Sequence, residues 1–85
     1  MSINEGEIRF YLYFPSREKA VEAQHILEGD PRLKSIVREA ATGPQYLLLI
    51  SVSDIRVDAV EEYKESFEAL GIRFDGEFDG WEYQA

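Results

Sequence analysis

The chain has no cysteine, one histidine, one tryptophan and three prolines in 85 residues. Without cysteine there is no disulfide scaffold, no thiolate zinc ribbon and no thiol nucleophile. Long apolar runs are also missing. The longest wholly apolar or aromatic stretches, Phe10–Phe14 and Tyr46–Ile50, fall far short of the ~20 residues that a membrane-spanning helix needs. Positive charge is scarce, with nine Lys and Arg against seventeen Asp and Glu, a net charge of −8. The deficit is uneven: residues 1–43 hold six basic and seven acidic side chains, residues 44–85 three and ten. An acidic half of this kind repels phosphate backbones, so direct nucleic-acid binding is not expected. Met1–Glu7 contains no Lys or Arg, which is the wrong sign for a secretory leader. The expectation is a cytoplasmic protein with no membrane association.

A core, by contrast, is well supplied. The chain is 45% hydrophobic, with five Phe and five Tyr, which excludes intrinsic disorder and fits one small domain over residues 1–85, its core at about 7–84. Ile8–Phe14 alternates with period two and reads as a strand largely apolar on both faces. Pro15 stops it, and Ser16 is placed to cap a helix running to about Glu28, with Ala20, Ala23, Ile26 and Leu27 on one face. Gly29 fits the left-handed position after that helix, and Pro31 prevents its resumption. Leu33–Ala40 is a second, more polar strand, Thr42-Gly43-Pro44 a turn, and Tyr46–Val52 a third strand, so that these two form a hairpin.

Asp58-Ala59-Val60-Glu61 matches a capping box for a second helix, which should run to Leu70 with Val60, Tyr63, Phe67 and Leu70 buried and Gly71 ending it. Ile72–Tyr83 is the last strand. The order β-α-β-β-α-β is the split βαβ of α+β, ferredoxin-like domains. Right-handed crossovers give a four-stranded antiparallel sheet of order 4-1-3-2, with two helices on one face and the other face open. Ile8, Phe10, Leu12 and Phe14 should then lie under the helices with Leu27, Val60 and Phe67.

Chemistry-bearing patterns are sparse. Asp75-Gly76-Glu77-Phe78-Asp79-Gly80 opens like a calcium loop, but the bidentate Glu required at the twelfth position would fall at 86, past Ala85. On a strand, Asp75, Glu77 and Asp79 would instead line one face and guard an edge, so no metal or cofactor is expected. His25 has neither a Cys nor a second His to share a metal, and no pattern ties it to a nucleophile. Phosphate-loop, dinucleotide and nucleophile-elbow motifs are absent. An acylphosphatase needs an Arg after the first strand and an Asn at the third. Arg17 is present, but the sole Asn is Asn4, so no catalytic residues are expected and the protein is read as not an enzyme. Tyr11 and Tyr13 could serve as an RNA-stacking pair on the open face, but the third strand lacks the basic-Gly-aromatic opening of RNA-recognition motifs.

Residues about 8–84 resemble the family of regulators of ribonuclease E activity B. The features are Phe10-Tyr11-Leu12-Tyr13-Phe14, Val37-Arg38-Glu39-Ala40 before the turn, Tyr46-Leu47-Leu48-Leu49 after it, and the ending Phe78-Asp79-Gly80-Trp81-Glu82. The ending is the most specific, since the family's closing strand is similar to an aromatic-Asp-Gly-Trp signature. The resemblance implies a non-enzymatic, protein-binding regulator that lowers the activity of ribonuclease E, or of another nuclease with a basic surface, and so modulates RNA decay. An RNA-binding module and a small-molecule or metal-sensing domain are the alternatives. The partner-binding residues expected are Tyr11, Tyr13, Asp79, Gly80, Trp81 and Glu82, on a monomer or weak dimer. Trp81 either caps the thin core or stands beside Tyr11 and Tyr13. A bulge at Gly76 or Gly80 would decide, because it reverses the parity of every residue after it.

Overall fold

The structure is a computed structural model and describes residues 7–41, 43–53 and 59–84. The order is β1 (Glu7–Phe14), α1 (Arg17–Leu27), β2 (Leu33–Glu39), β3 (Tyr46–Ser53), α2 (Val60–Arg73) and β4 (Glu77–Gln84). The strands form one antiparallel sheet of order β2-β3-β1-β4, the ferredoxin-like topology expected. β1 sits inside because both of its faces can be covered. Ile8, Phe10, Leu12 and Phe14 are fully buried on one side, and Glu7, Arg9, Tyr11 and Tyr13 are half-buried on the other.

The helices lie over the first side, α1 against β2, β3 and β1, and α2 against β1 and β4. Between them and the sheet pack Ala20, Ala23 and Leu27 from α1, Val60, Phe67 and Leu70 from α2, and Leu48, Ile50 and Val52 from β3. Phe10 is central, with its ring 4.8 Å from that of Phe67 in an edge-on arrangement. Tyr63 and Phe78 close around it at 6.2 and 6.4 Å between ring centres. Such aromatic pairs add to the burial of apolar area. Ile26 departs from the expected stripe. It lies exposed between the buried Ala23 and Leu27, on the wall of a cleft between α1 and α2 that nothing among the described residues fills.

The helix ends show where local signals mislead. Ser16 caps α1 as expected, its Oγ accepting from the Lys19 N–H at 3.2 Å. Gly29, however, does not adopt the left-handed conformation. α1 unwinds through right-handed turns, with Asp30 donating its N–H to the Leu27 carbonyl and accepting at its carboxylate from the Arg32 N–H at 2.9 Å. The capping residue expected for α2, Asp58, lies outside the described residues.

At its far end α2 continues through Gly71 to Arg73 instead of stopping at Leu70. It closes in a Schellman arrangement, in which the Gly76 N–H reaches the Gly71 carbonyl at 2.7 Å and the Asp75 N–H the Ile72 carbonyl at 3.3 Å. Asp75, at φ 65°, takes the left-handed position that the sequence offered to Gly71. The last strand therefore begins at Glu77, not Ile72. The glycine that geometry demands is Gly76. A Cβ there would sit 2.5 Å from the Tyr13 carbonyl oxygen and 2.5 Å from Cδ1 of Phe14.

Removing the Phe10 ring leaves a cavity at the junction of β1 and α2. Phe10→Ala should cost ~3–5 kcal/mol, enough to unfold much of so small a domain. A thermal melt followed by circular dichroism checks this; a midpoint within a few degrees of wild type would contradict the packing described.

Candidate partner-binding surface

The face of the sheet away from the helices is uncovered among the described residues. Its composition follows from the strand registers. Arg38, Leu47, Tyr13 and Glu77 form one row across it, Lys34, Ser51, Arg9 and Glu82 another, and Ile36, Leu49 and Tyr11 lie between them. The middle is therefore apolar and aromatic. One edge, on β2, is basic, and the other, on β4, is acidic. Ile36 is 50% exposed, whereas Leu47 is only 6% exposed between its row neighbours.

The acidic edge depends on an irregularity in β4. Leu12 pairs with Phe78 but Phe10 with Trp81, so Asp79 and Gly80 together stand opposite Tyr11. Gly80 has φ 111°, a value that side-chain-bearing residues rarely adopt. This is a β-bulge, and it reverses the parity of the residues beyond it. Glu82 arrives on the open face opposite Arg9, while Trp81 and Tyr83 align with Phe10 and Ile8 on the helix side.

Trp81 consequently does not join Tyr11 and Tyr13. Nor does it fill the core: it is 39% exposed, Tyr83 is 44% exposed, and both lie on the rim of the outer strand. Of the six residues singled out from the sequence, Tyr11, Tyr13 and Glu82 share the open face, Asp79 and Gly80 form the bulge, and Trp81 lies across the edge.

Tyr11 and Glu82 are joined directly. The phenol donates to Glu82 Oε1 at 2.6 Å. That bond, with partial burial second, raises the Tyr11 pKa above the ordinary 10.0. Arg9 donates from Nε to Glu7 at 2.7 Å, and this bond raises its pKa as well.

The remaining candidates come apart. Asp75 belongs to the end of α2, where it meets Lys19 at 3.6 Å on the surface, so Asp75, Glu77 and Asp79 do not line one strand face. Among the described residues no three His, Cys, Asp or Glu side chains are grouped to hold a metal ion. His25 is exposed on α1. A cleft of about 270 Å³ between α1 and α2, lined by Ile26, Phe67, Leu70 and Arg73 among others, offers a mainly apolar wall and no pair of groups suited to catalysis. No described helix is long and apolar enough to cross a membrane. The basic edge of Lys34 and Arg38 is a part of the surface that sequence reasoning missed. The near-neutral charge of residues 1–43 and the Lys34-Ser35-Ile36-Val37-Arg38 alternation were the signals for it.

The described residues thus form an α+β ferredoxin-like domain with a bare sheet face and a bulged, acidic outer strand. The family model described as regulator of ribonuclease activity B matches residues 4–83. The chain belongs to that family, whose description makes its members regulators of ribonuclease activity. No curated protein matches the chain.

The Tyr11–Glu82 bond has a pH signature. A raised folded pKa contributes stability that is fully present below the ordinary tyrosine value and is lost as pH rises through the Tyr11 pKa. An ultraviolet titration should show one tyrosine ionising above the ordinary range, and Tyr11→Phe should remove that step. A variant that keeps the high step and loses one tyrosine from the ordinary range instead would show that the bond does not persist in solution.

Proposed function

We propose that this chain is a non-enzymatic regulator that binds a ribonuclease, ribonuclease E or another nuclease with a basic surface, and lowers its activity. Family membership over residues 4–83 carries the reading. Physical support comes from the outer strand. A nuclease must present positive charge to its RNA, and the carboxylates of Glu77, Asp79 and Glu82 offer a matching negative edge that favours encounter and orientation. Beside them Trp81 and Tyr83 are exposed, the kind of large, partly apolar side chain that dominates interface energetics. Asp79, Glu82 and Trp81 would therefore clasp the partner from both sides of the sheet edge, with Tyr11 and Tyr13 behind them. A single-stranded RNA platform fits less well. The Glu82 carboxylate lies against Tyr11, where it repels phosphate, and the neighbouring central strand offers Leu47 and Leu49 instead of stacking rings.

Calorimetric titration of purified ribonuclease E with the chain, alongside an RNA-cleavage assay, tests the reading. Wild type should bind and slow cleavage. Trp81→Ala should lose on the order of 2 kcal/mol of binding, with little change in melting temperature because the side chain lies outside the core. Absence of both binding and any effect on cleavage would exclude ribonuclease E. Normal binding by Trp81→Ala would move the interface elsewhere.

A further inference from the structure

The open face is complementary to itself. We infer that it docks a second copy of this chain, forming a two-fold sheet-on-sheet dimer whose axis runs along the strands between β1 and β3. Such an axis keeps each row of the face at its own height and reverses its left-to-right order. β2 of one copy then lies over β4 of the other, so that Arg38 meets the second copy's Glu77 and Lys34 meets its Glu82, both within matched rows. An axis across the strands would stack β2 on β2 and oppose like charges. The charge layout therefore selects one of the two symmetric arrangements, and it is the one that suits the aligned packing of twisted sheets.

The shapes agree with the charges. Because the Tyr11 hydroxyl reaches Glu82, its ring leans toward β4. The same rotation carries that ring over a shallow depression of about 110 Å³ lined by Lys34, Ser35, Ile36, Leu49 and Ser51 of the other copy. Ile36, half exposed at the edge of this depression, is covered in the process. Among the described residues neither Lys34 nor Arg38 forms an ion pair within its own chain, so both are available. The glutamates of α1 and α2 lie in the helix layer on the far side of the sheet, where screening at about 8 Å mutes their repulsion. Four strands spaced about 4.8 Å apart, three of eight residues and one of seven, give a face whose pairing removes roughly 1,000 Å² in total, the lower bound of a specific interface. The dimer is accordingly weak and concentration-dependent.

Self-association of this kind goes beyond regulation of a nuclease and is tested without one. Tyr11, Tyr13 and Glu82 belong to both surfaces, so a bound partner and a second copy compete. Sedimentation equilibrium of the full chain, from about 10 µM to about 1 mM at near-physiological salt, brackets the affinity such an interface supports. The mass should rise from one chain toward two. K34E/R38E alone and E77K/E82K alone should each weaken association about tenfold or more, and an equimolar mixture should restore it as a mixed dimer. All four positions are exposed, and melting curves establish that the variants fold. A wild type that remains monomeric throughout overturns the proposal without recourse to any variant, as does a mixture that associates no better than its components.

Discussion

Two residues of β4, Asp79 and Gly80, stand opposite the single residue Tyr11 of β1, and the character of the whole outer strand depends on that mismatch. In an unbroken ladder Glu82 would oppose Ile8 and turn a carboxylate toward the helix layer. Trp81 would oppose Arg9 on the open face. The bulge exchanges them. It places the carboxylate where Tyr11 can donate to it and sends the indole to the rim beside the core. Gly80 makes this possible, since φ 111° would strain any residue with a Cβ.

The bulge can have this effect because β1 is held so firmly. All four helix-side residues from Ile8 to Phe14 are completely buried, and Phe10 touches rings from α2 and β4. Gly76 fixes the start of β4 against Tyr13 and Phe14, where no side chain could fit. With the start of β4 packed this closely against β1, the extra residue at the bulge is not taken up by a shift of the whole strand. It emerges as a change of face. The core thereby determines the surface.

Much of this was legible in the residues. Period-two alternation in Ile8–Phe14 and the apolar run Tyr46–Val52 identified the central strands, and the polar character of the other two placed them at the edges. The buried set of Phe10, Leu27, Val60 and Phe67 came from the same patterns. At the helix ends the glycines mislead in different ways: α1 does stop before Gly29 but without a left-handed residue there, whereas α2 runs through Gly71 and Asp75 takes the left-handed position. The surface is harder to read because it depends on parity. The sequence carries the choice at Gly80, but nothing local says whether a glycine in a strand will bulge. The opposition of a basic β2 edge to an acidic β4 edge appears only once registers are known.

The chain belongs to the family of regulators of ribonuclease activity B. Its sheet has a bare face among the described residues and an outer strand that shows acids on one side and aromatic rings on the other. The bulge supplies that two-sidedness, so the register beyond it is the central claim. Cross-strand nuclear Overhauser effects between backbone protons of β1 and β4 measure it directly. The account predicts Leu12 paired with Phe78 and Phe10 with Trp81. Pairing of Phe10 with Gly80 and Arg9 with Trp81 would mean an unbroken ladder, with the indole beside Tyr11 and the carboxylate of Glu82 turned toward the helices, and would contradict it.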